Sequence, residues 1–572
     1  MSLYHEAADI LSAPSSSGGN LKTRIFGSKN KQLKSPPQQI YALALETCKW
    51  SSVLREVIDA SELLRHERKL TPLLALLLVH DFLLARKGIA LPASHGLRAA
   101  IERHKARLTA ELTRARLRRR AGSIDALREL VEVESLGEAG SYPRWVRVNT
   151  FKTTLQDQLD TTFKDFTQVA SVKEVIAGPV RGKLLHVDEH VPNLLALSPA
   201  FEITKTHAYT SGAIIIQDKA SCFPAYLLNP QPEDGDVIDS CSAPGNKTTH
   251  VAAIVKSHVV EGGECEQKVY AFEKDPHRGR TLDKMVNLAG AHEITRMSLG
   301  RDFLKVDPNA PLYKNVGALL LDPSCSGSGI VGRDAMPTIH VPERLGGAAK
   351  QQPAPDKNRK RKRADDTASD ARQQILVDDD GQELVVSSEK EMRARLEALS
   401  SFQLTLLLHA FAFPAARRIT YSTCSVHAEE NEQVVLKALR SEAAVARGWR
   451  IMGRGQQVQG MREWPVRGSL EASDGDEEVA TACIRSYKDD GRGVMGFFVA
   501  GFVRDPRAGA EEAADAVRNN PREKSRAGQP KDRDSPHDNS TSKQPPSEID
   551  SGSSDTGDPD NSSDDGWGGF TD

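Results

Sequence analysis

The chain lacks the marks of export, of a membrane span and of a metal-bound thiol set. Its cysteines number seven, an odd count spread over 572 residues, and no Cys-x-x-Cys pair occurs. That argues against a disulfide framework and leaves no zinc-ligand spacing, so free thiols in a reducing compartment are expected. Met1 to Ile10 carries Glu6 and Asp9 and no apolar run, so no signal-peptide pattern opens the sequence. The longest apolar run, 73–84, is broken by His80 and Asp81 and is too short to cross a bilayer. It reads as a buried helix, with Thr71 as cap and Pro72 in the first turn. A large net charge is missing too. The formal value is -2, and six aspartates within 551–572 more than account for it. The rest of the chain is mildly positive, which permits a polyanionic partner.

Three turns stand out, each directly after an apolar run that reads as a buried strand. They are Asp239-Ser-Cys241-Ser242-Ala243-Pro244-Gly245-Asn246-Lys247-Thr, Asp322-Pro-Ser-Cys325-Ser-Gly-Ser-Gly329 and Ser422-Thr-Cys424-Ser425. In a parallel sheet all three lie at the carboxyl ends of strands, where open α/β sheets bind ligands. Two thiols are then candidates for one cleft. The first turn precedes a helix, and its small residues let backbone approach a ligand at the helix N-terminus. It matches neither common glycine pattern. A phosphate loop needs Gly directly before Lys, and Asn246 intervenes; nor is the turn G-x-G-x-x-G. This disfavours an NTPase or a nucleotide-dependent dehydrogenase and leaves S-adenosylmethionine as the Rossmann-type option. Glu273 ends the next strand, where a carboxylate accepts from a ribose diol, and Asp302 is placed to accept from an adenine amino group. Taken singly, each carboxylate reads first as a helix cap or a solvated charge; their order behind the glycine turn raises the ligand reading above that.

The organisation follows from composition. Residues 1–38 read as a flexible start, and 39–135 as a helical domain. Its basic helix near 94–121 carries Lys105, Arg107, Arg114, Arg116, Arg118, Arg119 and Arg120, either a solvated face or an RNA phosphate contact. Residues 141–205 read as a small α+β module, with a strand at 143–150 and another at 183–187. There Trp145, Arg144 and Arg147 either grip RNA or form a core Trp flanked by surface arginines. From 206 to 504 strands and helices alternate, as in a doubly wound sheet. Strands are expected at 237–239, 269–272, 318–321, 418–421, 481–485 and 496–503, and helices at 248–256, 278–289, 401–413 and 429–439. A low-complexity insertion, 346–386, holds Lys357-Asn-Arg-Lys-Arg-Lys-Arg363, which reads as a nuclear import signal or a nucleic-acid patch. An acidic, disordered tail is expected over 505–572.

Together the three turns resemble the signature of the Sun-domain RNA cytosine-5 methyltransferases. Segments at 143–150 and 217–221 and Glu429-Glu-Asn-Glu432 are similar to family segments, and Leu63-Leu-Arg65-His-Glu-Arg-Lys-Leu70 resembles the subgroup acting on large-subunit (25S/28S) ribosomal RNA. The resemblance implies an α/β, Rossmann-like fold, with an S-adenosylmethionine site lined by 241–247, Glu273, Arg278, Asp302 and Asp322. It implies Cys424 as nucleophile, Cys325 as the thiol of product release, and a monomer in the nucleus and nucleolus working on ribosomal RNA or a pre-ribosomal particle. Ser242 stands where Ala is usual and Glu273 where Asp is common; both substitutions keep the chemistry. The physics alone does not choose between the thiols, since DNA cytosine methyltransferases place the nucleophile in a Pro-Cys turn, nearer Cys325. Rival readings are a non-catalytic ribosome-assembly factor that keeps the fold for RNA binding, and the same chemistry on transfer RNA.

Overall fold

A computed structural model describes residues 3–13, 21–26, 33–136, 142–179, 182–259, 263–330, 338–342, 374–377, 383–386 and 389–504. The tail at 505–572 and the basic run at 357–363 lie outside the described residues.

Eight helices are described before residue 140: α1 (Leu3–Ser12), α2 (Leu21–Phe26), α3 (Pro37–Ala60), α4 (Leu63–His66), α5 (Pro72–Leu84), α6 (Gly96–Glu102), α7 (Lys105–Arg118) and α8 (Ile124–Leu136). α5 is buried as expected, its N-terminus capped by Thr71, whose Oγ1 accepts from Leu74 N at 3.2 Å. Leu76, Leu77 and Leu78 are fully buried, each adding roughly 1.5–3 kcal/mol of apolar burial. The flexible start gives way to structure: Tyr4 is fully buried, and its hydroxyl donates to Asp81 at 2.6 Å. The single basic helix is two, α6 and α7, and much of its charge is answered by glutamates. Arg103 pairs with Glu67 at 2.8 Å and Arg107 with Glu62 at 3.3 Å; Arg114 pairs with Glu111, and Arg118 and Arg119 with Glu56. Burial raises the Glu56 carboxyl, but Arg119 and Arg118 outweigh it and hold the group below the usual range.

Beyond the helices lies a sheet of five strands, β1 (Arg144–Val148), β2 (Thr167–Gln168), β3 (Leu184–Val187), β4 (Leu194–Leu197) and β5 (Ile214–Ile216), in the order β2-β3-β4-β1-β5. Here neither Trp145 nor Arg147 is offered to RNA. Trp145 is 3% exposed and donates to Gly493 O at 2.7 Å. Arg147 is 1% exposed, and its guanidinium donates to Gln217 at 2.8 Å and Thr249 at 3.0 Å. Burial brings that guanidinium down to about 10. Arg144 donates to Pro199 O.

The larger sheet carries the turns. It consists of β6 (Asp236–Asp239), β7 (Val269–Glu273), β8 (Thr295–Leu299), β9 (Val316–Leu321), β12 (Arg418–Thr423), β13 (Arg450–Ile451), β14 (Ile484–Ser486) and β15 (Phe497–Val503); the hairpin β10 (Gln374–Val377) and β11 (Glu383–Val386) stands apart, inside the expected low-complexity insertion. The order is β13-β15-β12-β9-β6-β7-β8, with β14 on β15. β12, β9, β6, β7 and β8 run parallel and β15 runs antiparallel. Strand order reverses between β6 and β9, the switch point at which such sheets open a crevice. The flanking helices are Lys219–Leu228, Asn246–Ser257, Pro276–Ala289, Glu389–Phe411 and Glu432–Leu439. The strand expected at 481–485 is present but begins later, as the short β14; its first two residues close a helix, Glu477–Ala482. Asp476 caps that helix by accepting from Val479 N, and Glu477 and Glu478 sit in its first turn. Among the described residues no helix is long and apolar enough to cross a membrane.

A buried ion pair fastens the small sheet to the large one. Lys219 Nζ meets Asp188 at 2.5 Å, both nearly sealed from solvent, and the ammonium lies 5.0 Å from the Trp464 ring and 5.4 Å from that of Trp145. Removing one partner strands the other charge. Asp188→Ala is therefore expected to lose about 3–5 kcal/mol in a denaturant titration, whereas Asp165→Ala, at an exposed pair with Lys183, is expected to cost under about 1 kcal/mol.

Candidate active site

All three turns converge at the switch point. β9 and β12 are parallel neighbours in register, Leu321 opposite Tyr421. The chain leaves β9 into Asp322–Gly329 and β12 into Cys424–Val426, and the two thiols meet: Cys325 Sγ and Cys424 Sγ are 2.8 Å apart, and either can be the donor. Cys325 is buried and Cys424 half-buried. Backbone laces the loops together. Gly329 N donates to Cys424 O at 2.9 Å, and Gly496 N, just before β15, donates to Gly329 O at 2.8 Å. A Cβ on Gly329 would lie 2.2 Å from Gly496 O, so only glycine permits this approach.

Asp322 is the hub. Its Oδ2 pairs with Lys247 Nζ at 2.9 Å, and its Oδ1 accepts from Ser422 Oγ at 2.6 Å. One carboxylate thus joins the Cys241 turn, the Cys325 turn and β12. Lys247 also donates to Ser221 at 3.1 Å and lies 5.5 Å from the Phe497 ring. Lys247 and Asp322, both expected to line the cofactor site, pair with each other.

The Cys241 turn is built on β6. Thr248 Oγ1 donates to Asp239 Oδ2 at 2.7 Å, and Ser242 N donates to Phe272 O, which fixes the turn against β7. Gly245, at φ +111°, opens the helix Asn246–Ser257, whose first N–H groups have no acceptor within the helix. Cys241 is a packing residue, its thiol pushed up by burial. Pro244 follows a cis bond from Ala243. Arg278 Nη2 donates to Ala243 O at 2.9 Å and so braces the turn. Glu273, at the end of β7, accepts from Asp275 N at 2.8 Å and Ala243 N at 3.3 Å. Asp302 caps the next short turn, accepting from Leu304 N at 3.0 Å, and meets Lys274 at 3.2 Å.

The helical region, the small sheet and part of the large one match, over 38–127, 142–217 and 225–344, models described as the NOL1/NOP2/Sun domain family member 5 N-terminal domain, its ferredoxin-like domain, and the 16S rRNA methyltransferase RsmB/F family. A fission yeast (Schizosaccharomyces pombe) relative, the 25S rRNA (cytosine-C(5))-methyltransferase rcm1, is 38% identical over 89% of this chain and 92% of its own. The chain belongs to the Sun-domain cytosine-5 methyltransferases. A Mus musculus member, a 28S rRNA (cytosine-C(5))-methyltransferase, is 34% identical over 88% of this chain and 91% of its own.

S-adenosylmethionine is the cofactor of this Sun-domain enzyme, and the residues present fit it. The molecule carries a carboxylate, two ribose hydroxyls and an adenine amino group. Against these stand a helix N-terminus at Gly245 and carboxylates at the ends of β7 and past β8, in the order a Rossmann-type site requires. Sequence reasoning missed Ser221 as a partner of Lys247, and Phe497, which reads as an ordinary core residue of a strand. It also gave no sign of Gln403, mid-helix in Glu389–Phe411, whose amide donates to Ser324 O at 3.0 Å.

Asp239 supplies a pH test. Burial pushes its carboxyl up to about 7, with Asp322 adding to the rise and the Thr248 hydrogen bond opposing it. A raised carboxyl favours the folded state fully below the unfolded value near 4, and that contribution is lost as pH climbs through about 7. Asp239→Asn is expected to match the parent in melting temperature near pH 4, to gain on it as pH rises to about 7 and to hold a constant lead above that, read by thermal melts of cofactor-free protein.

Proposed function

We propose that this protein methylates carbon-5 of a cytosine in large-subunit ribosomal RNA, with Cys424 as nucleophile and Cys325 as the thiol of product release. The observation that carries the reading is the pair of thiols meeting beside Asp322 and Lys247 at the switch point. The relatives' names, rRNA (cytosine-C(5))-methyltransferases from fungus and mouse, support the substrate class. In this reading the 241–247 turn takes the cofactor's amino-acid end, Glu273 its ribose, Asp302 its adenine, and Arg278 and Asp322 flank it. Import through 357–363 would bring the protein to the nucleus and nucleolus, where it would meet pre-ribosomal particles as a monomer.

The chemistry follows from the weakness of carbon-5 as a nucleophile. When bound, S-adenosylmethionine supplies an electrophilic methyl group on a sulfonium sulfur. The Cys424 thiolate bonds to carbon-6 and breaks the ring's conjugation, which gives carbon-5 the electron density to take that methyl. Asp322, sharing a proton with ring N3, stabilises the charge that develops. Carbon-5 then holds both methyl and hydrogen. Cys325, or a water it positions, takes that hydrogen as a proton; the C–H electron pair restores the 5,6 double bond, the sulfur–carbon-6 bond breaks, and Cys424 leaves as thiolate. The base must leave its stack to enter such a site.

Cys424→Ala is expected to abolish methylation, and Cys325→Ala to stay bound covalently to RNA as a slow band on a denaturing gel. Both variants inactive with no band from the second would contradict these roles. Bisulfite sequencing of large-subunit ribosomal RNA from cells with and without the gene is expected to show one cytosine that loses protection; unchanged maps would remove the substrate assignment.

A further inference from the structure

Three consecutive polar residues, Glu430, Asn431 and Glu432, are fully buried. They run from the last residue of the short 3-10 turn Ala428–Glu430 to the first of the helix Glu432–Leu439. Runs of this kind ordinarily form a solvated helix start, and two buried carboxylates carry a desolvation cost that hydrophobic packing would avoid. Their hydrogen bonds explain the placement. Glu430 Oε1 accepts from Ser326 N at 2.9 Å and from Gln403 Nε2 at 3.0 Å. Gln403 Nε2 also donates to Ser324 O at 3.0 Å. The residues before and after Cys325 are therefore held by one Glu–Gln pair. Tyr421 locks that pair from below, donating to Gln403 Oε1 at 3.1 Å and to Glu430 O at 2.5 Å.

Asn431 does the same for the other thiol. Its Oδ1 accepts from Thr423 Oγ1 at 2.5 Å, and its Nδ2 donates to Ser425 O at 2.9 Å, which brackets Cys424. Glu432 extends the grip by one residue. It binds Arg485 through both oxygens, at 2.7 and 2.5 Å, and Arg485 Nη1 donates to Val426 O at 3.0 Å.

We propose that Glu430 and Asn431 are positioning residues with separable effects: Glu430 sets Cys325 for product release, and Asn431 sets Cys424 for attack. The inference rests on the roles given above to the two thiols. Adjacent residues on one rigid turn fix the loops of both sulfurs, so the spacing of the thiols is set by a single tripeptide. Loss of one clamp leaves the other in place. Misplacing a reacting group by about 1 Å costs on the order of 10²-fold in rate, so each clamp should govern its own step by about that much.

The test compares full-length Glu430→Ala, Glu430→Gln and Asn431→Ala with the parent and with Cys325→Ala, on a ribosomal RNA transcript, by single-turnover methyl transfer, gel detection of the covalent adduct and titration with S-adenosylmethionine. Glu430→Ala is expected to transfer methyl in the first turnover but accumulate adduct, with multiple turnover down on the order of 10²-fold. Glu430→Gln keeps an acceptor oxygen and is expected to restore release. Asn431→Ala is expected to lose methyl transfer by a similar factor with no adduct. Cofactor affinity should stay within about twofold in all three, which a general loss of packing would not allow. Should Glu430→Ala be insoluble, Gln403→Ala, which frees Ser324, carries the same expectation. Adduct at parental level in Glu430→Ala while Cys325→Ala traps RNA would overturn this inference alone. No adduct in Cys325→Ala would overturn the reading beneath it, and this inference with it.

Discussion

Two sulfur atoms 99 residues apart in sequence meet because β9 and β12 are parallel and in register. The sheet delivers each chain to the same edge of the crevice, and both turns begin within a residue or two of that edge. Everything else at the site serves to keep the two loops from drifting. Backbone bonds at Gly329 tie the loops to each other and to the residue before β15, and Asp322 ties both to the Cys241 turn. Close packing of this kind tolerates no extra atom, as the approach of Gly329 to Gly496 shows.

The electrostatics follow the same plan. Four carboxylates, Asp239, Asp322, Glu430 and Glu432, stand in the strand ends and turns of the site. Asp322 and Glu432 each face a cation, Asp239 is pushed towards its neutral form, and Glu430 is met by N–H donors. Burial, and then Glu430, Cys325 and Asp322, push the Tyr421 hydroxyl well above its usual range, which keeps it a donor to Gln403 and Glu430. The site thus places its charges by pairing, at a desolvation cost offset by specific hydrogen bonds.

Much of this is written locally in the chain. The three turns are legible because small residues and glycine follow short apolar runs, and that contrast marks strand ends whatever the tertiary context. What escaped depends on distant partners. The arginines of α6 and α7 read as a free positive face because Glu56, Glu62 and Glu67 sit on other elements. Arg147 reads as a surface residue because its partners, Gln217 and Thr249, are 70 and 102 residues away. The strand expected at 481–485 begins only at Ile484, because a local signal, Asp476 before two glutamates, starts a helix that runs through Ala482. Glu430–Glu432 was visible as a family-like segment, yet nothing in its polar pattern announces burial beneath two thiols.

The proposed chemistry requires the sulfur of residue 424, and not that of residue 325, to bond to the pyrimidine. Ribosomal RNA transcribed with 5-fluorocytosine, which has no proton to lose from carbon-5, would freeze the reaction at its covalent stage. Digestion and mass spectrometry of the trapped complex then identify the modified cysteine. The account predicts the nucleotide on the peptide containing Cys424; a nucleotide on the peptide containing Cys325 would contradict it.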